Sequence, residues 1–256
     1  GLAILTYGED AAAGKAFAET LAEQAWADRE RFHVTLTPLA DAIAAVKARE
    51  ADPGLPPVCL ADVADNPGGG GRGNTTDVLE ALIAADAQGV LLGLFVDPQV
   101  AAACHSAGVG ATLDVVFNKD NADDHGRAVA ATIEVLGLSD GFIVGRRGIA
   151  AGRTSKLGPA ACVRLAGLTI VVASRRIQAA DPAYFETFNL DIASFRAVVL
   201  KSRGHFRAGF DEFFPDDRII EVDALGLTNP ILARFPFKRL PRPVYPLDPD
   251  TRWAGA

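Results

Sequence analysis

From Pro57 to Phe117 short apolar runs alternate with helix-like segments, and this alternation constrains the fold more than any other feature of the sequence. Val58–Val63, Val90–Val96 and Ala111–Phe117 read as strands, and Thr76–Ala87 and Pro98–Ala107 read as helices, the second with proline in its first turn. That order implies parallel strands joined by right-handed crossovers. The rhythm returns with Pro182–Asn189 (helix), Ala197–Leu200 (strand), His205–Phe214 (helix) and Arg218–Val222 (strand). Between the two stretches, Arg127–Leu136, Phe142–Val144, Ala161–Leu165 and Leu168–Ala173 are strand-like runs separated by Gly, Asp and Asn, which predicts an antiparallel insert or barrel-like lobe around residues 127–174. The tail Asn229–Pro249 holds six prolines and is expected to run extended, pinned by Phe235, Phe237, Val244 and Tyr245. The predicted class is therefore α/β: a mostly parallel βαβ sheet flanked by helices, with an antiparallel β insert and a Pro-rich extended tail.

Ahead of this region, Glu9–Arg31 has the spacing of an amphipathic helix, His33–Thr37 reads as a short strand, and Ala40–Ala51 as a second helix stopped by Asp52-Pro53-Gly54. The breaker cluster suggests a helical lead-in over residues 1–52 and an α/β domain over 53–256. The sequence starts at Gly1 and contains no methionine, which reads as a piece of a longer chain. With 25 Lys+Arg against 32 Asp+Glu and a net charge of −7, a general nucleic-acid or anionic-membrane surface is disfavoured. No apolar run approaches the about 20 residues that a membrane span needs. Cys59, Cys104 and Cys162 are widely spaced among aliphatic residues, the pattern of reduced, buried thiols in a cytoplasmic compartment.

Two segments could carry chemistry. Asp62–Thr76 (DVADNPGGGGRGNTT) lies between a strand and a helix, where glycine-shaped backbone and a helix N-terminus could hold an anion or a carbonyl oxygen. Gly68 to Thr75 has P-loop spacing, but Asn74 stands where the phosphate-binding lysine would be. Lys201-Ser202-Arg203-Gly204-His205-Phe206-Arg207 follows a strand and collects basic side chains at a helix start, where the helix dipole disfavours them. The four histidines, His33, His105, His125 and His205, form none of the usual zinc spacings, and there is no G-x-S-x-G elbow. No metal site is expected in this chain by itself.

Several motifs, in order, resemble the C-terminal region of the microcystinase C (MlrC) family: LADVADNPGGGGRGNTT at Leu60–Thr76, AGVGAT at Ala107–Thr112, TIVVASRRIQ at Thr169–Gln178, VVLKSRGHFRAGF at Val198–Phe210, and IIEVDALGLTNP at Ile219–Pro230 followed by RFPFKRLPRPVYPLD at Arg234–Asp248. The resemblance implies a zinc-dependent peptidase whose namesake opens linear peptides derived from microcystin. Its zinc ligands are expected in a separate N-terminal domain that this sequence lacks. The chain alone is then expected to bind no catalytic zinc and cleave no peptide, and to supply a wall of the substrate cleft, with a peptide and the N-terminal domain as partners and self-association left open. Strands of an open parallel sheet deliver ligand-binding residues past their carboxyl ends. This predicts one shared site in which His205 and Lys201 are catalytic candidates and Asn66, Gly68, Gly69, Gly70, Gly71, Asn74, Thr75, Ser202 and Arg207 bind substrate. The other reading kept open is a non-catalytic α/β module that binds an anion or small ligand through the glycine-rich loop.

Overall fold

A computed structural model of the protein describes residues 2–253. The chain divides into two compact units, one formed by the described residues up to Thr35 together with those from Ile231 onward, the other by Leu36–Pro230. In the first unit, Asp10 caps helix α1 (Ala11–Ala27) by accepting hydrogen bonds from the amides of Ala12 and Ala13. The Pro-rich tail has no α-helix and joins this unit through Tyr245. That ring packs edge-on against Trp26 and stacks on His33, at centroid distances of 5.6 and 5.7 Å.

The second unit is built on a nine-stranded sheet in the order β1-β11-β2-β10-β3-β9-β8-β5-β4. Its strands are β1 (Thr37–Pro38), β2 (Val58–Ala61), β3 (Val90–Val96), β4 (Thr112–Phe117), β5 (Val129–Ser139), β8 (Ala160–Leu165), β9 (Leu168–Ala173), β10 (Ala197–Leu200) and β11 (Ile219–Asp223). From β1 to β9 in that order all pairings are parallel, and from β9 to β4 all are antiparallel. The central strands are continuous apolar runs because a parallel sheet is covered on both faces. Alternate residues such as Leu60, Leu92, Ile170 and Val199 join the core cluster shared with helices α2 (Leu39–Ala51), α3 (Asp77–Ala84) and α4 (Pro98–Ala107). On the opposite face Gly93 meets the ring of Phe185, and a Cβ there would stand 2.6 Å from Cε1.

The α/β class holds, with four local corrections. The expected strand at His33–Thr37 shrinks to β1, and the expected break at residue 52 falls inside the second unit, because Ala42, Ile43 and Val46 of α2 pack into its core. The strands of residues 127–174 are antiparallel as expected, but most of them are no separate lobe. They extend the main sheet, which curls until Phe117 of β4 meets Phe95 of β3 edge to face at 5.2 Å. Only β6 (Phe142–Val144) and β7 (Thr154–Lys156) stand apart, as a two-stranded sheet. The helices predicted after Pro182 and at His205 shorten to single turns, α5 (Ala183–Glu186) and α6 (Arg207–Phe210), and Phe185, Phe206 and Phe210 in and beside them are buried as an aromatic cluster. Cys59, Cys104 and Cys162 are free and buried, and among the described residues no helix is long and apolar enough to cross a membrane.

Candidate functional site

Strands β2 and β10 are parallel neighbours in register, Val58 opposite Ala197 and Ala61 opposite Leu200, so the segments that follow them leave the sheet at the same edge. The segment after β9 leaves there too, two strands further on. Gln178, at the end of that third segment, ties the three together. Its Nε2 donates to Asn66 Oδ1 at 3.0 Å and to Ser202 Oγ at 2.7 Å, and its Oε1 lies 2.9 Å from His205 Nδ1. With both amide hydrogens committed, Oε1 can only accept, so His205 Nδ1 must be the donor. The neutral ring therefore carries its free lone pair on Nε2. The His205 side chain is exposed. Asn66, Ser202 and His205 are thus brought together as the sequence predicts, by a residue to which the sequence reading assigns no part.

Lys201 lies one layer deeper, and its place corrects the expectation of a catalytic group. The residue is 2% exposed, and Nζ donates to Asp62 Oδ2 at 2.8 Å, Asp65 Oδ2 at 3.0 Å and Thr75 O at 2.9 Å. These bonds direct the ammonium into the protein, where it ties the segment after β2 to the end of β10. Burial pulls the Lys201 pKa down, but the two carboxylates outweigh it and the net direction is up. For Asp65, burial pushes upward, while the Lys201 ammonium and the amides of Thr75 and Gly73 together hold the carboxyl below its ordinary value. Burial dominates at Asp62, which is raised; its Oδ1 is buried without a partner.

The glycine-rich loop is closed on itself. Its amides are spent internally: Gly68 N–H on Asn66 Oδ1, Gly69 and Gly71 N–H on Asn66 O, Gly70 N–H on Pro67 O, and Gly73 and Thr75 N–H on the two oxygens of Asp65, both at 2.7 Å. The expected anion-holding concavity at Gly68, Gly69, Gly70 and Gly71 is therefore not formed. The first turn of α3 carries Asp77 and Glu80, which complete the local preference against an anion. Thr75 is 4% exposed and turned to Lys201, and Asn74 is 7% exposed. Arg207 is also corrected: its guanidinium is held by Asp216 at 2.6 Å and Glu221 at 3.0 Å, so it is not free for a substrate carboxylate. The signal for the buried triad was present in the sequence, as two aspartates three residues apart after one strand and a lysine directly after its neighbour.

Metal chemistry needs several convergent donors. Among the described residues no group of three or more His, Cys, Asp or Glu side chains is placed to hold an ion.

Three comparisons bear on these features. The family model for the MlrC C-terminus matches residues 60–239. Microcystinase C of Sphingomonas sp is 30% identical over 156 residues, covering 61% of this chain and 30% of that protein. A crystal structure from Mesorhizobium sp. BNC1, described as a "putative metallopeptidase", superposes with a TM-score of 0.80 at 24% identity, over 95% of this chain and 47% of that one. The last likeness is one of fold, and the chain spans less than half the length of either relative.

Proposed function

The chain belongs to the MlrC C-terminus family, and from that membership we propose that it forms one wall of the substrate cleft of a metal-dependent peptidase, where His205 moves a proton at Nε2. The metal ligands of this reading, and the zinc they would hold, belong to the part of the longer relatives that this chain does not span. One observation carries the assignment: the Asn66–Gln178–Ser202–His205 chain of hydrogen bonds, which aims a tautomer-fixed, exposed imidazole out of the carboxyl edge of a parallel sheet. In this arrangement the residues of the chain have separate tasks. Lys201, Asp62 and Asp65 anchor the loop that carries Asn66, Gln178 orients His205, and His205 faces the peptide.

The test is peptide hydrolysis by the whole protein that carries this chain. His205→Ala is expected to lower kcat/KM by roughly 100-fold or more while leaving the urea midpoint unchanged, since the side chain is exposed. Gln178→Leu, which releases the tautomer, should lower kcat with less effect on KM. An unchanged kcat/KM in His205→Ala overturns the role of this residue.

A further inference from the structure

A separate cleft of about 350 Å³ opens beside this network, lined in part by Arg72, Asn74, Asp97, Asn118, Lys119 and Arg176. Several of its polar groups are already engaged. Asp97 accepts from the amides of Gln99, Val100 and Asn118, Arg72 is paired with Asp123, and Asp120, also on the lining, accepts from the Gln99 side chain. Five groups are left over, the exposed Asn121 side chain and four others. Asn118 is 3% exposed; its Nδ2 donates to Gly126 O and Arg127 O at 3.1 and 3.2 Å, but its Oδ1 is buried without a partner. The Asn74 side chain, also buried, makes no hydrogen bond among the described residues. Lys119 and Arg176 are exposed and form no ion pair among the described residues.

An orphaned buried acceptor is satisfied by an incoming donor, and two uncommitted cations by an anion. We propose that this cleft binds an α-carboxylate with an N–H on the neighbouring carbon, the group carried by a free α-amino acid and by the last residue of a peptide. The carboxylate lies against Arg176 and Lys119, the N–H bonds Asn118 Oδ1, and the Asn74 amide takes a remaining polar atom of the ligand. A phosphate would satisfy the cations but has no N–H for Asn118 Oδ1, only an O–H on the same group that the cations hold, and the acidic groups present among the described residues are too few and too committed to hold a metal ion. The volume is at the small end of ligand pockets, in keeping with one or two residues. This inference does not depend on the peptidase reading, since it concerns binding without turnover.

Titration calorimetry on the purified chain with alanine, alanyl-alanine, alanyl-alanine amide and inorganic phosphate tests it. Saturable binding of alanine identifies a free amino acid as the ligand, and binding of alanyl-alanine alone identifies a peptide terminus. In either case the amide should bind about tenfold more weakly or worse. Arg176→Gln and Lys119→Gln, both at exposed positions that the fold does not need, should each weaken the better ligand by about tenfold, with Arg153→Gln, an exposed arginine outside the cleft, unchanged. Failure of both alanine and alanyl-alanine to saturate overturns the proposal. So does equal binding of the amide, phosphate binding as tightly as the dipeptide, or indifference to both substitutions.

Discussion

Burying one ammonium against two carboxyl groups leaves one acid more than the ammonium can neutralise, and the two acids are held differently. Asp65 is satisfied by two amides and Lys201, whereas Asp62 has one oxygen on Lys201 and the other unpaired. Lys201→Met would strand both carboxylates and is expected to cost about 3–5 kcal/mol in urea unfolding. Asp62→Asn should cost far less than Asp65→Asn, because burial already favours an uncharged group at Asp62; equal losses would contradict this asymmetry. The pH dependence follows with its signs. Asp65, lowered in the fold, contributes stability above its ordinary value of 3.8 that is lost as pH falls through the lowered value. Lys201, raised in the fold, contributes stability below 10.5 that is lost as pH rises through the raised value. Asp62, also raised, acts oppositely to Asp65: its contribution is present below 3.8 and lost as pH rises through the raised value. Urea midpoints followed down through about pH 4 to pH 2 should fall in the wild type and flatten in Asp65→Asn. At this scale the meeting of Asn66, Ser202 and His205 was legible, because each closely follows a strand. The ion pairs of Lys201 and Arg207 were not read, because residue type alone does not single out a partner 139 or 14 positions away, even where, as for Lys201, both partners directly follow neighbouring strands.

The glycine run was recognised as an element of consequence and assigned the wrong work. Glycines can present amides outward or let backbone close tightly on backbone, and composition does not separate the two. At Gly71 the structure requires the second: a Cβ would lie 2.7 Å from Asn66 N and 2.8 Å from the carbonyl carbon of Asp65. Gly71→Ala should therefore destabilise by about 1–3 kcal/mol, whereas Gly69→Ala, which meets side chains alone, the Thr228 methyl at 3.2 Å and Asn66 Nδ2 at 3.4 Å, should cost less than half as much by thermal unfolding. Strand and helix positions from β2 to β4 were readable because parallel βαβ units impose local rhythm. The fate of residues 127–174 was not, since local antiparallel pairing of β4, β5, β8 and β9 fits a separate lobe equally well, and only the parallel seam of β9 on β3 adds them to the main sheet. The curl those strands make depends on Phe117. Phe117→Ala should cost about 3–5 kcal/mol, with amides of β4 and β5 losing hydrogen-exchange protection before those of β2 and β10.

On the scale of the whole molecule, every group in the Asn66–His205 network, the Lys201 triad and the nine-stranded sheet lies between Leu36 and Pro230. The breaker cluster at Asp52 misdirected the sequence reading here, because a stop signal ends a helix without saying on which side of a domain boundary the helix packs. About 200 residues with one continuous core is an ordinary size for a domain that folds alone. The remaining unit is different in character: α1 buries none of its residues, and Leu2, Leu5, Tyr7, Phe17 and Phe32 are all exposed. A chain cut to Leu36–Pro230 should accordingly unfold in one cooperative urea transition, with a midpoint close to that of the uncut chain. It should also keep His205 protonated at Nδ1, which the ¹⁵N shifts of its imidazole report directly, because Gln178, Asn66 and Ser202 remain in place. If the cut chain loses cooperativity, or the imidazole shifts move to a mixture of tautomers, then the larger unit does not hold its site unaided.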